Sequence, residues 1–148
     1  MNSKNPNRPA SESSGRNCSA IRRVLIVEDE ALIGWALAQA LTRAGFEVVL
    51  AESGERAIEF VRSSSFDIVI TDVKLPHSTG IDVAATLRLV APSTPIVLLS
   101  AESDEFLRQQ FERYSIANIV EKPFDLAKIV SLVGALCKHD DAHVHEDE

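Results

Sequence analysis

Five short runs of Val, Ile and Leu punctuate the chain, at residues 24–27, 46–50, 68–70, 96–99 and 116–120. Their length and β-branching suit strands. Most of them lack the apolar-polar alternation of a half-exposed sheet, so they read as strands buried on both faces, the mark of a parallel sheet covered by helices. The intervening segments EALIGWALAQALTRAG, SGERAIEFVRSS, GIDVAATLRLVA, SDEFLRQQFERY and DLAKIVSLVGALC have helical spacing. In the first, Ile33, Leu37 and Leu41 make a core stripe, while Leu32, Trp35, Ala36 and Ala40 extend apolar character around the cylinder. Trp35 either stays exposed at the rim, where a partner can dock, or folds over the sheet edge. Gly45 stands where a left-handed C-cap is wanted, and Ser53, Ser103 and Asp125 stand where N-caps are wanted. Five βα units in series make a three-layer, doubly wound α/β domain with right-handed crossovers.

That pattern occupies residues 22–138 and leaves two ends of different character. Residues 1–21 are rich in Ser, Asn, Pro and charge and too poor in large apolar groups to repay ordering, so a flexible tail is expected there. Residues 139–148 hold three histidines among five acids. Nothing in that stretch fixes a metal geometry, and a solvated acidic tail is the expectation.

A chain of 148 residues suits one domain with a real core. Its formal charge of -7 argues against holding nucleic acid by bulk electrostatics. Cys18 and Cys137 lie near opposite ends and form no C-x-x-C pair, so reduced thiols without structural importance are expected. No stretch is long enough for a membrane span, and the first twenty residues lack the apolar core of a signal peptide. A cytoplasmic protein follows by default.

Parallel sheets bind ligands beyond the carboxyl ends of their strands, near the point where strand order reverses. Those ends carry Glu28, Asp29 and Glu30 after the first run, Asp72 after the third, Ser100 after the fourth and Lys122 after the fifth. Carboxylates from Glu28, Asp29 and Asp72 brought together repel one another unless a cation intervenes. All-oxygen donors with no His or Cys nearby favour a hard divalent ion, and Mg²⁺ suits an open site that keeps waters and accepts a phosphoryl oxygen. Lys122 and the Ser100 hydroxyl can neutralise and hold an anion beside that ion, and a carboxylate there can act as nucleophile to form an acyl phosphate. Taken singly, each residue has a plainer reading: Glu28 or Asp29 as helix caps, Asp72 as a turn residue, Ser100 as a helix start and Lys122 as a surface lysine. Four coincidences at strand ends favour the joint reading, while Leu75 reads as packing.

The order LIVEDE, DIVITDVKLP with Gly80 beyond, PIVLLSAE and IVEKPF resembles the receiver domain of bacterial two-component response regulators across nearly all of residues 22–137. The resemblance implies a flavodoxin-like five-stranded sheet in the order 2-1-3-4-5. It implies that Asp72 is the phosphoacceptor for a histidine kinase or histidine phosphotransfer protein. It implies that Mg²⁺ is held by Asp29 and Asp72 and the backbone carbonyl of Lys74, with Glu28 acting through water where the family usually has aspartate. Ser100 matches the switch hydroxyl, Lys122 matches the phosphoryl-binding lysine, and the Lys122-Pro123 bond is implied to be cis.

Departures from the family bear on signalling. The position three before the lysine, often Tyr or Phe, is Ile119, which cannot report phosphorylation by swinging a ring inward. Lys74 and Glu102 occupy the positions two beyond Asp72 and Ser100, which in the family flank the path of attacking water, and the resemblance implies that they modulate phosphoryl lifetime. No second domain is expected after residue 138, so the reading is a single-domain regulator or phosphorelay intermediate. It acts on a downstream protein target without direct DNA binding, with a homodimer also open to it, and is no enzyme beyond its own phosphorylation and dephosphorylation. The alternatives are a Mg²⁺-dependent aspartyl-phosphate phosphohydrolase, for which Lys74 stands where an acid/base aspartate is wanted, and a degenerate receiver that binds partners without phosphorylation.

Overall fold

A computed structural model describes residues 22–75, 78–101 and 105–146. The elements in chain order are β1 (Arg23–Val27), α1 (Ala31–Arg43), β2 (Glu47–Ala51), α2 (Gly54–Ser63), β3 (Ile68–Asp72), β4 (Lys74–Leu75), β5 (Ser78–Thr79), α3 (Gly80–Val90), β6 (Ile96–Ser100), α4 (Glu105–Arg113), β7 (Asn118–Glu121) and α5 (Leu126–Glu146). Five strands pair in parallel in the order β2-β1-β3-β6-β7, and β4 and β5 form a separate antiparallel hairpin. Without that hairpin in the count, the order is the expected 2-1-3-4-5. Among the described residues no helix is long and apolar enough to cross a membrane.

Successive strand residues point to opposite faces, and the continuous apolar runs therefore feed two separate cores. On one side Val24, Ile26, Ile68, Ile70, Val97 and Leu99 pack with Leu37 and Leu41 of α1 and Ile129 and Val133 of α5. On the other, Leu25, Val27, Val69 and Leu98 pack with residues of α2, α3 and α4, including Ala57, Val61, Val83, Leu87 and Phe111. The central strands β3 and β6 are buried throughout, whereas the outer strands β2 and β7 are partly exposed. Leu75 packs against the second of these cores, as read.

Local signals account for most element ends. Gly45 has φ 102° and its N–H donates to the Thr42 carbonyl at 3.0 Å, while the Phe46 N–H donates to the Leu41 carbonyl at 3.1 Å, closing α1 in a Schellman turn. Ser53 Oγ accepts from the Arg56 N–H at 3.1 Å, and Asp125 Oδ1 accepts from the Ala127 N–H at 2.9 Å. Ser103 lies outside the described residues, as do Cys18 and residues 1–21 generally. Cys137 is buried. Of the two placements open to Trp35, the structure takes the exposed one, with 59 % of its surface accessible beside Leu32 at 78 %.

Three elements differ from the sequence reading. The last strand begins at Asn118 rather than 116, because Ser115 turns through φ 57° and the Ile116 N–H closes α4 on the Phe111 carbonyl at 2.8 Å. Helix α5 continues to Glu146, into the segment read as a tail from 139, and no Pro or Gly interrupts residues 138–146. The hairpin β4–β5 was not expected, since two-residue strands carry no periodicity.

At the amino ends of the strands Arg88 ties α3 to its neighbours. Its guanidinium donates to the carbonyls of Tyr114 at 2.8 Å, Thr94 at 2.9 Å and Pro92 at 3.1 Å, and burial pushes its pKa down. Arg88→Met keeps the stem and removes every donor, leaving part-buried carbonyls unsatisfied. Chemical denaturation is expected to show a loss of about 2–3 kcal/mol, against less than about 0.5 kcal/mol for the exposed neighbour change Leu89→Gln.

Candidate functional site

Parallel register brings the strand ends level. Val27 lies opposite Thr71, Asp72 opposite Leu99, and Ser100 opposite Glu121, so the residues at or just beyond these ends share one rim. Glu28 is continuous with β1 through its N–H, which donates to the Ala51 carbonyl at 3.1 Å. Glu28, Asp72 and Ser100 are buried, whereas Asp29 and Lys74 are exposed. The Lys122 N–H donates to the Ser100 carbonyl at 2.8 Å, which aligns the residue after β7 with the end of β6.

The side chains of Glu28, Asp29, Asp72 and Lys122 come together at this rim. One carboxylate oxygen from each of Glu28, Asp29 and Asp72 lies within 4.8 Å of the other two. Lys122 Nζ stands 2.7 Å from Asp72 Oδ2 and 3.6 Å from Glu28 Oε1. Asp72 Oδ1 accepts from the Lys74 N–H at 3.3 Å, and Glu28 Oε2 accepts from the Glu30 N–H at 3.2 Å. Lys74 thus meets the Asp72 carboxylate through its backbone and belongs to the hairpin β4–β5 that follows it. The Lys122-Pro123 bond is cis. Glu102 lies outside the described residues. Ile119 stands on the edge strand, 40 % exposed, and lines a groove with Pro123, Phe124, Lys128 and Leu132.

Burial sets the electrostatics. Desolvation pushes the Glu28 carboxyl up from 4.5 to about 7, with the charges of Asp72 and Asp29 adding to it and the Glu30 N–H and Lys122 opposing. Burial pulls Lys122 down, but its hydrogen bond to Asp72 and the charges of Asp72 and Glu28 outweigh that, and its pKa is raised. The arrangement holds one lysine against two buried acids and leaves Glu28 poised between protonation states.

Thr71 was missed by the sequence reading. It is the one polar residue inside the apolar run before Asp72, fully buried, and its hydroxyl donates to the Asp72 backbone carbonyl at 3.0 Å.

Residues 24–134 match the family model described as the response regulator receiver domain. The chain belongs to that family. Transcriptional regulatory protein PdtaR of Mycobacterium tuberculosis is 37 % identical over 115 residues, which cover 76 % of this chain and 55 % of the relative. The transcriptional regulator NtrC of a Bradyrhizobium strain is 30 % identical over 111 residues, 75 % of this chain and 23 % of the relative. This receiver therefore spans between about a quarter and about half the length of these curated relatives. Among solved structures, a CheY-like receiver domain from Methanospirillum hungatei matches with a TM-score of 0.80 at 17 % identity, over 84 % of this chain and 99 % of that one. The response regulator TrrA of Thermotoga maritima, solved in complex with Mg²⁺-BeF, matches with a TM-score of 0.70 at 31 % identity, over 78 % and 99 % of the two chains.

The raised pKa of Glu28 carries a sign. In metal-free protein the folded state holds this proton more tightly than the unfolded chain, so stability falls as pH rises from about 4.5 through about 7. Glu28→Gln is expected to remove that fall, making the variant more stable than the parent by on the order of 1–3 kcal/mol at pH 8 and leaving the difference small at pH 5. Urea denaturation of both proteins at the two pH values in chelator checks it, and an equal difference at both pH values contradicts the assignment.

Proposed function

We propose that this receiver takes a phosphoryl group onto Asp72 from a phosphohistidine donor, a histidine kinase or a phosphotransfer protein, in the presence of Mg²⁺. The observation that carries the reading is the convergence at one rim of the Asp72 carboxylate, Lys122 Nζ at 2.7 Å and the two acids Glu28 and Asp29.

The residues present fit Mg²⁺. The donors are oxygens alone, three carboxylates are gathered without an equal number of cations, and Glu28 Oε1 is buried with no hydrogen-bond partner among the described residues. Asp29, Asp72 and the Lys74 carbonyl would hold the ion, with Glu28 acting through water. When bound, Mg²⁺ offsets negative charge on the phosphoryl oxygens. The likeness to TrrA, whose solved complex contains Mg²⁺-BeF, supports the same reading.

The chain's own groups do the rest. β3 delivers the Asp72 carboxylate rigidly to the rim, and the Lys74 N–H orients it. A carboxylate oxygen forms the new O–P bond as the P–N bond to the donor's imidazole breaks, and the bonding pair leaves on that nitrogen, which is protonated from solvent. Lys122 then transfers its pairing from the carboxylate to the phosphoryl oxygens, and the Ser100 hydroxyl donates to them. Lys74 and Glu102 modulate access of water to the acyl phosphate. Ile119 has no ring to rotate, so the readout to a downstream protein runs through the rim and not through an aromatic at that position.

Incubation with Mg²⁺ and a small acyl phosphate, followed by intact mass, is expected to show the gain of one phosphoryl group. Asp72→Asn abolishes the adduct, and Lys122→Ala slows its formation by about a hundredfold. No adduct from any donor favours the degenerate receiver, and rapid turnover of varied phosphate esters favours the hydrolase.

A further inference from the structure

The peptide that carries Asp72 is gripped from two sides. Within β3 the buried Thr71 hydroxyl donates to the Asp72 carbonyl oxygen at 3.0 Å, where the isosteric Val would suit an all-apolar strand equally well. From the other side α3 begins at Gly80, whose N–H donates to the Val73 carbonyl at 2.8 Å. A Cβ on Gly80 would run into that same Asp72 carbonyl and would lie 3.1 Å from Thr71 Oγ1. Only a residue without a side chain lets the helix start come so close.

The helix start is itself pinned. Thr79 Oγ1 accepts from the Asp82 N–H at 3.3 Å, and Asp82 Oδ2 accepts from the Thr79 N–H at 3.1 Å, a reciprocal capping box. A tightly held helix turn therefore presses on one face of the Asp72 peptide while the Thr71 hydroxyl holds its oxygen. The carbonyl carbon and the side chain of Asp72 hang from one Cα, so displacing that carbonyl would carry the Cα with it and shift the carboxylate from Lys122 Nζ.

We propose that Thr71 and Gly80 are positioning residues for phosphoryl transfer, locking the Asp72 carbonyl so that its carboxylate keeps its aim at Lys122 and the neighbouring acids. This rests on Asp72 being the phosphoacceptor. Neither residue touches the reacting atoms. Their effect falls on the rate of the transfer step and not on capture of the donor, since a misplacement of about 1 Å in a reacting group costs up to about a hundredfold in rate.

The test measures Asp72 phosphorylation by intact mass at saturating Mg²⁺ across concentrations of a small acyl phosphate, with thermal melting of each variant in parallel. Thr71→Val is expected to lower the maximal rate about tenfold and leave the half-saturating donor concentration within about twofold. Thr71→Ser, which keeps the donor, restores the rate to within about twofold. Gly80→Ala lowers it further, while Gly134→Ala in α5, whose new Cβ meets nothing within 4 Å, leaves it unchanged. A folded Thr71→Val that reacts at the parental rate overturns the proposal, as does failure of Thr71→Ser to restore the rate. If Gly80→Ala does not fold, the two Thr71 variants decide alone. A parent chain that gains no phosphoryl group overturns the acceptor reading as well, whereas a normal parent with indifferent variants overturns only the positioning role.

Discussion

The ion pair between Lys122 Nζ and Asp72 Oδ2, 2.7 Å long, is the contact on which the rest of the rim depends. Three carboxylates with oxygens within 4.8 Å of one another would drive their strand ends apart or take up protons if nothing opposed them. Lys122 opposes two of them at once, and it can do so only because β6 lies between β3 and β7 and its Ser100 carbonyl anchors the Lys122 N–H. The compensation is incomplete. Glu28 keeps a buried oxygen with no hydrogen bond, 3.6 Å from the shared lysine, and a pKa raised to about 7, and that residual excess of negative charge is what a divalent ion would offset.

Such a cluster needs a chassis that does not yield. The two apolar cores supply it, one on each face of the sheet, with β3 and β6 buried along their whole length. Burial fixes the register of these strands, because a one-residue slip would turn each apolar side chain to the other face. The acids then have no freedom to separate by sliding. The cost of gathering like charges is met by packing that lies up to four residues deeper in the same strand.

The sequence made the sheet legible because continuous Val, Ile and Leu runs have one economical explanation, and it made the acids and Lys122 legible because each breaks such a run at its end. Capping at Gly45, Ser53 and Asp125 was readable for the same reason, since the required backbone conformation selects the residue type. The bond from Thr71 to the Asp72 carbonyl was not, because a lone Thr in a strand is indistinguishable from a β-branched filler until its hydroxyl has a partner. Nor was the approach of Gly80 to that peptide, which depends on where α3 lands and not on any local preference. The start of β7 shifted for a related reason: Ile116 is buried either way, and only the turn at Ser115 decides that it plugs the end of α4 instead of joining the sheet.

Ile119 bears on the readout of the proposed chemistry and not on the chemistry itself. The groove beside it is lined by Ile119 and Val120 of β7, Pro123 and Phe124 of the connection that follows, and Leu132 of α5, with no aromatic at the family's switch position. The chemistry at Asp72 is testable independently of that readout. Borohydride reduces an acyl phosphate to the alcohol, so treating the phosphorylated protein and mapping its peptides locates the acceptor carboxylate directly. The account predicts homoserine at position 72 alone, dependent on Mg²⁺ and on a phosphodonor; conversion at Asp29 or Glu28, or no conversion in protein that has gained a phosphoryl group, would contradict it.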